Sequence, residues 1–232
     1  MNKCVALVSG GMDSMCYLAQ QIGRYEILPL VFNYGQVCHR EIEAACRILE
    51  ALEKGKAPVR HRRILHMEFL GALCPGTQLT GDVPTSRSYE PSVVVPLRSA
   101  VFLSIAAAHA KSTGATRVIA GLHTDDGGNW LGSPYPMYPD RGDEFLKLFE
   151  TILDRGHFYW MGERLEIWTP AREGLSKAAN LRKGMEALGD DVYKTWSCHG
   201  DGGRQCGECL SCRERRAAFG KAGVEDKTEY RK

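Results

Sequence analysis

The sequence predicts an α/β protein, a doubly wound parallel sheet with a zinc knuckle and a helix at its C-terminal end. Three observations carry that prediction. Short apolar segments alternate with helix-compatible ones along most of the 232 residues. The first apolar segment runs into the glycine turn Ser9-Gly10-Gly11-Met12-Asp13-Ser14, and four of the nine cysteines fall within fifteen residues near the C-terminal end.

The elements follow in order. Residues 4–8 are a β-branched and aliphatic strand, and residues 15–21 a helix with apolar positions on one side. A second strand at 27–32 ends at Tyr34-Gly35-Gln36, and the helix expected at 41–52 gathers Ile42, Ala45, Cys46, Leu49 and Leu52 on one face. A weaker strand sits at 63–65. Residues 74–91 are rich in Gly, Pro, Ser and Thr and read as a long loop of the lid or binding type. An Ala-rich helix at 101–112, a central strand at 117–121, an irregular stretch at 125–143, a helix at 143–153, a strand at 165–168 and a helix at 176–188 complete the alternation. Strands that alternate with helices imply a parallel sheet covered on both faces, with ligands collecting at the carboxyl ends of the strands. Residues 9–14, 34–36 and 121–126 would all emerge there.

Composition narrows the function classes. With 44% hydrophobic and 25% charged residues and a net charge of +2, the chain has no broad basic field for nucleic acid. The local cluster Arg60-His61-Arg62-Arg63 reads as a solvated strand edge. No run reaches transmembrane length, and Met1-Asn2-Lys3 leads straight into the first strand. A cytoplasmic protein with reduced thiols is expected.

The glycine turn is a phosphate site by its chemistry. Two adjacent glycines bring the backbone close to a ligand, and the Ser9 and Ser14 hydroxyls face the same anion as the free N–H groups that open the helix. The Lys-Ser/Thr of kinase and GTPase loops is absent; Asp13-Ser14 stands in its place. The competing reading is a plain glycine turn with a Ser or Asp helix cap.

Cys198, Cys206, Cys209 and Cys212 are spaced C-x7-C-x2-C-x2-C. Four thiolates at this spacing complete a tetrahedral Zn2+ shell, and closure by four sulfurs points to one structural ion. An iron–sulfur cluster and free or redox thiols are the alternatives. His199 adjoins Cys198 and is expected to be an exposed loop residue.

Ser-Gly-Gly-x-Asp-Ser after the first strand resembles the pyrophosphate-loop ATPases, which are Rossmann-like and split ATP between the α and β phosphates. Thr195-x-Ser197-Cys198, then Cys206-Gly207-x-Cys209-x-Ser211-Cys212-x-x-Arg215 and Ala218-Phe219, narrows this to a resemblance to the 7-cyano-7-deazaguanine synthases of the queuosine pathway. Tyr34-Gly35-Gln36 with Glu41, Val95-Pro96 with Arg98, and Leu175-Ser176-Lys177-Ala178 match in the same order. The resemblance implies adenylation of 7-carboxy-7-deazaguanine, attack by ammonia to give an amide, and a second activation that eliminates to the nitrile, one ATP per activation. It places ATP on Ser9, Gly10, Gly11, Met12, Asp13, Ser14, Tyr34, Gly35 and Gln36. Asp13 would orient the loop or help hold Mg2+, and Arg98 and Lys177 would be the catalytic cations. Asp126 would read the base edge, with Trp130 or Tyr138 stacking and Asp140 beside them. It also implies a homodimer supplied with ammonia from outside the chain, and no direct contact with nucleic acid or membrane. The expected organisation is an ATPase domain over 1–195, the knuckle over 196–220 and a tail over 221–232.

The chain departs from the family pattern at three places. Leu97 replaces a glycine in Pro-Gly-Arg-Asn, so a different local conformation is expected; Cys38 takes the position of a histidine; and residues 131–137 are extra within the pocket segment. The phosphate and zinc ends are intact while the substrate end is altered. A ligase that stops at the amide, or acts on another heteroaromatic acid, is therefore kept as an alternative. A tRNA sulfurtransferase and a nucleotide-binding module without turnover are more distant ones.

Overall fold

A computed structural model describes residues 1–127, 138–158 and 164–231. Strands β1 (Lys3–Val8), β2 (Glu26–Asn33), β3 (Arg63–His66), β4 (Arg117–Ile119) and β5 (Glu166–Trp168) form one sheet in the order β3-β2-β1-β4-β5. Every pairing is parallel, with Val8 of β1 opposite Val31 of β2 and Ala6 opposite Ile119 of β4. The order runs outward from β1 in both directions, so the connections leave the β1 and β4 carboxyl ends on opposite sides and open a crevice between them.

Among the described residues seven α-helices cover the sheet: α1 (Met12–Gln20), α2 (Arg40–Lys54), α3 (Glu68–Leu73), α4 (Arg98–Thr113), α5 (Asp143–Leu153), α6 (Lys177–Leu188) and α7 (Leu210–Ala222). The pleat of β1 divides the core. Cys4, Ala6 and Val8 face α1, α2, α6 and α7, whereas Val5 faces α3, α4 and α5. A strand buried on both faces has no polar side, which is why β1 reads as a continuous apolar run. On the outer strand β3, Ile64 remains 37% exposed, in keeping with its weaker pattern.

Each predicted strand is present, and the helices differ from expectation at their starts. α1 opens at Met12 and α4 at Arg98, three residues before the expected positions. The short α3 was not foreseen, because six residues hold too little periodicity to register. Residues 74–90 contain no helix or strand. One expectation needs correction: the stretch Pro91–Thr113 is long and apolar enough to cross a membrane by length and composition. In the fold it is a 3-10 turn, Pro91–Val93, a break, and then the 16 residues of α4. That helix is about 24 Å long, short of a hydrocarbon core of about 30 Å, and it packs Leu103, Ala106, Ala107 and Ala110 on the sheet.

Gly121, just past β4, lies so close to the phosphate turn that a Cβ there would sit 2.5 Å from the Ser14 nitrogen. Gly10, at φ +90°, is pressed onto the first turn of α2, where a Cβ would fall 1.9 Å from the Glu41 carbonyl oxygen. Beyond α7 the chain returns to the knuckle, with Tyr230 bridging to Gln205.

Candidate active site

The phosphate turn holds its shape by its own hydroxyls. Ser9 and Ser14 Oγ lie 3.0 Å apart, Ser14 Oγ donates to the Gly11 carbonyl at 3.1 Å, and Ser9 Oγ accepts from the Gly11 N–H at 3.1 Å. Gly11 precedes α1, and no side chain caps that helix. The reading of a Ser or Asp helix cap is thereby set aside, and the opening N–H groups are left for a ligand.

Asp13 lies in the first turn of α1. Its carboxylate meets Lys177 Nζ at 2.9 Å and His123 Nε2 at 3.7 Å. Burial alone would push the carboxyl up; the charges of Lys177 and His123 outweigh it and hold Asp13 well below the usual carboxylate range. Lys177 opens α6, a helix capped by Ser176 Oγ, which accepts from the Ala179 N–H at 3.2 Å. Asp125 also accepts from the Lys177 backbone N–H, at 3.1 Å. Lys177 is therefore not an exposed first-turn lysine: its side chain is 14% exposed and also reaches Glu214 at 3.5 Å.

The turn after β2 supplies the opposite wall. Arg98, the first residue of α4, donates to the Tyr34 hydroxyl at 2.9 Å, and burial raises the Tyr34 phenol above its ordinary value. Gln36 lines the cavity and bonds within its own turn, accepting from the Tyr34 N–H at 2.9 Å and donating to the Phe32 carbonyl at 3.2 Å. Gly35 has φ +79° and packs against α3 rather than lining the cavity. Leu97 has a left-handed backbone (φ 55°, ψ 12°) although it is not glycine. The strain is held in a leucine that is 69% exposed.

These groups enclose a cavity of about 270 Å³, with the turn as its floor and Phe32, Tyr34, Arg98 and Phe102 on one side. A smaller, polar cavity of about 120 Å³ adjoins it and shares Asp13, Gly121, Lys177 and Arg141. Tyr138 lines this second space, standing edge-on to Tyr89 at 5.3 Å under the Arg141 guanidinium at 4.0 Å. Asp140 lies in the following 3-10 turn and lines neither cavity. Trp130 lies outside the described residues. The backbone of Asp126 belongs to the turn Thr124–Gly127, beside the β4 end.

The Sγ atoms of Cys198, Cys206, Cys209 and Cys212 all lie within 4.8 Å of one another. Zn–S bonds of about 2.3 Å in a tetrahedron separate sulfurs by about 3.8 Å, so the donor set fits zinc in kind, number and spacing. Backbone N–H groups of Gly200 and Cys206 donate to Cys198 Sγ, both at 3.3 Å, and that of Cys209 to Cys206 Sγ at 3.3 Å, which favours thiolates. Cys38, in the histidine position, is not a further ligand. It donates to the Gly200 carbonyl at 3.4 Å, and burial pushes its thiol up to about 12.

The knuckle is also a wall of the main cavity, through Ser197, His199 and Ser211. His199 is half-buried, bonded to Ser211 Oγ at 2.7 Å, and burial lowers its pKa; the exposed loop histidine expected from sequence is corrected. The Trp196 N–H donates to the Gly10 carbonyl at 3.0 Å and ties knuckle to phosphate turn. Fully buried Arg215 braces the join, donating to Thr195 Oγ1 at 2.7 Å and the Val192 carbonyl at 3.1 Å. His123 and Arg215 had no role in the sequence reading; Arg215 was legible only as a motif position.

The sequence profile of "Queuosine biosynthesis protein QueC" matches residues 3–223. The chain belongs to this family. Relatives cover it end to end. A "7-cyano-7-deazaguanine synthase" of Thermoplasma acidophilum is 36% identical over 100% of this chain and 93% of its own length. One of Methanoculleus marisnigri is 36% identical over 99% of each. One of Cellvibrio japonicus is 37% identical over 99% of this chain and 98% of its own.

Proposed function

We propose that the chain is an ATP-dependent 7-cyano-7-deazaguanine synthase, converting 7-carboxy-7-deazaguanine and ammonia to the nitrile through adenylate and amide stages. The observation that carries this is the full-length kinship with synthases of that name, joined to a preformed phosphate turn that floors the cavity. A carboxylate is a poor electrophile because hydroxide leaves badly; transferring AMP to its oxygen creates a good leaving group. The amide oxygen needs the same activation before elimination, so one AMP-transfer site serves both steps.

The β and γ phosphates would lie on the N–H groups opening α1, with Ser9 and Ser14 holding the turn around them. Lys177, poised by Asp13, and Arg98, poised by Tyr34, approach from opposite sides and would stabilise charge on the departing pyrophosphate. The apolar wall of Phe32 and Phe102, stacked at 4.1 Å, suits a flat ring. Asp126, Trp130 and Tyr138 are the residues we assign to the deazapurine. Mg2+ accompanies ATP, and one zinc ion would be structural in the knuckle. A homodimer in the cytoplasm, fed by free ammonia or a separate ammonia donor, completes the reading.

The test is a reaction of zinc-loaded protein with Mg-ATP, ammonium and 7-carboxy-7-deazaguanine, scored by mass spectrometry. Nitrile and AMP, both lost in Asp13→Ala, are expected. Amide without nitrile would move the chain to the ligase that stops early, and no acid-dependent AMP would overturn this substrate.

A further inference from the structure

Two carboxylates line the main cavity among the described residues, and they are in opposite electrostatic states. Asp13 has Lys177 at 2.9 Å and His123 at 3.7 Å. Glu41, from the first turn of α2, forms no side-chain hydrogen bond or ion pair among the described residues. The charged group that faces it is Arg98 of α4, whose guanidinium is given to the Tyr34 hydroxyl. Burial raises the Glu41 carboxyl and Arg98 lowers it only in part, leaving it at about 7. The acid is short of a cation.

Its position says which cation. Glu41 Oε1 lies 4.0 Å from the point that a Cβ on Gly11 would occupy, so it looks onto the turn that receives the phosphates. A polyphosphate set down there would stand beside an unpaired carboxylate, and the two anions would repel. Mg2+ resolves that conflict: it takes six oxygens, characteristically one or two carboxylates together with substrate phosphates and waters. Asp13, already neutralised by a lysine and a histidine, offers far less to a metal.

We infer that Glu41, not Asp13, is the protein ligand of the Mg2+ that accompanies ATP. This rests on the reading of the turn as the ATP site. It also gives the apo protein a defined deficit. Without metal Glu41 opposes nucleotide, and with metal it recruits nucleotide, so a single substitution should move the two affinities in opposite directions.

The experiment is calorimetric titration of wild type, Glu41→Gln and Asp13→Asn with α,β-methylene-ATP, in EDTA and in Mg2+. Wild type should gain about tenfold or more in affinity from Mg2+. Glu41→Gln should bind the metal-free nucleotide as tightly as wild type or tighter and gain little from Mg2+, while Asp13→Asn keeps the gain. Retention of the full Mg2+ gain in Glu41→Gln overturns the assignment alone. Failure of wild type to bind nucleotide in either buffer sinks the ATP reading and this assignment with it. Should Glu41→Gln not fold, wild-type protein with Mn2+ and the same analogue decides by electron–nuclear double resonance. Coupling to carboxyl-13C glutamate is expected, and coupling to labelled aspartate, or to neither, overturns it.

Discussion

The phosphate turn and the cysteine knuckle are both cradles for a ligand, and they are built on opposite principles. The turn is complete without its anion: its serines bond to each other, and Gly10 is wedged against α2. The knuckle, between Trp196 and the start of α7, has no helix or strand, and its small core is largely its own sulfurs. One cradle is held by backbone packing and waits for its ligand; the other uses its ligand as its core. Ligand removal should therefore spare the first and melt the second. Yet Trp196 joins them, so damage travels from knuckle to turn.

The largest break expected is at the zinc. Structural sites of this kind contribute on the order of 10 kcal/mol to folding, comparable to the whole stability of a domain. Cys209→Ser, or chelation, should lower the melting temperature by more than about 10 °C and abolish nucleotide binding, checked by calorimetry with bound zinc assayed in parallel. A stable, nucleotide-binding Cys209→Ser would show that the two cradles are independent.

Next comes the turn itself. Gly10→Ala forces a Cβ into the Glu41 carbonyl at a φ of +90°, and should cost about 3 kcal/mol or more. Denaturant unfolding measures it. Ser9→Ala, by contrast, removes one neutral hydrogen-bonded hydroxyl and should cost about 1 kcal/mol.

Lys177→Met tests chemistry rather than fold, with a loss of about 100-fold in turnover expected. It also has a pH signature. The folded Asp13 carboxyl lies below its unfolded value, so its stabilisation is present above about pH 4 and is lost as pH falls through the folded pKa. Removing Lys177 weakens the cause, so acid unfolding followed by circular dichroism should begin at higher pH.

The smallest effect expected is a gain. Leu97→Gly relieves a left-handed leucine and should stabilise the protein by about 0.5–1 kcal/mol, after the entropy of the new glycine is counted. A melting temperature raised by about 2 °C would show it.

The fold was legible because its signals are local: a strand such as Cys4–Val8 and the cysteine spacing are each contained in a few neighbouring residues. The partners within the site are not local. Lys177 reaches Asp13 across most of the chain, and nothing near either residue announces the other. His199 is half-buried rather than exposed for a related reason: whether a loop side chain faces solvent or a neighbouring element depends on a turn geometry that composition leaves open. Leu97 shows the reverse case, in which the surroundings impose a conformation that the residue itself disfavours.

The hydrogen bond from Trp196 to Gly10 also sets an order of events during synthesis. Synthesis makes the phosphate turn before the groups that finish it, Lys177 and Trp196, and the cysteines that hold Trp196 in place come later still. A nascent chain therefore carries a recognisable nucleotide motif before it has the means to use it, and the cradle is complete only once the four cysteines have emerged.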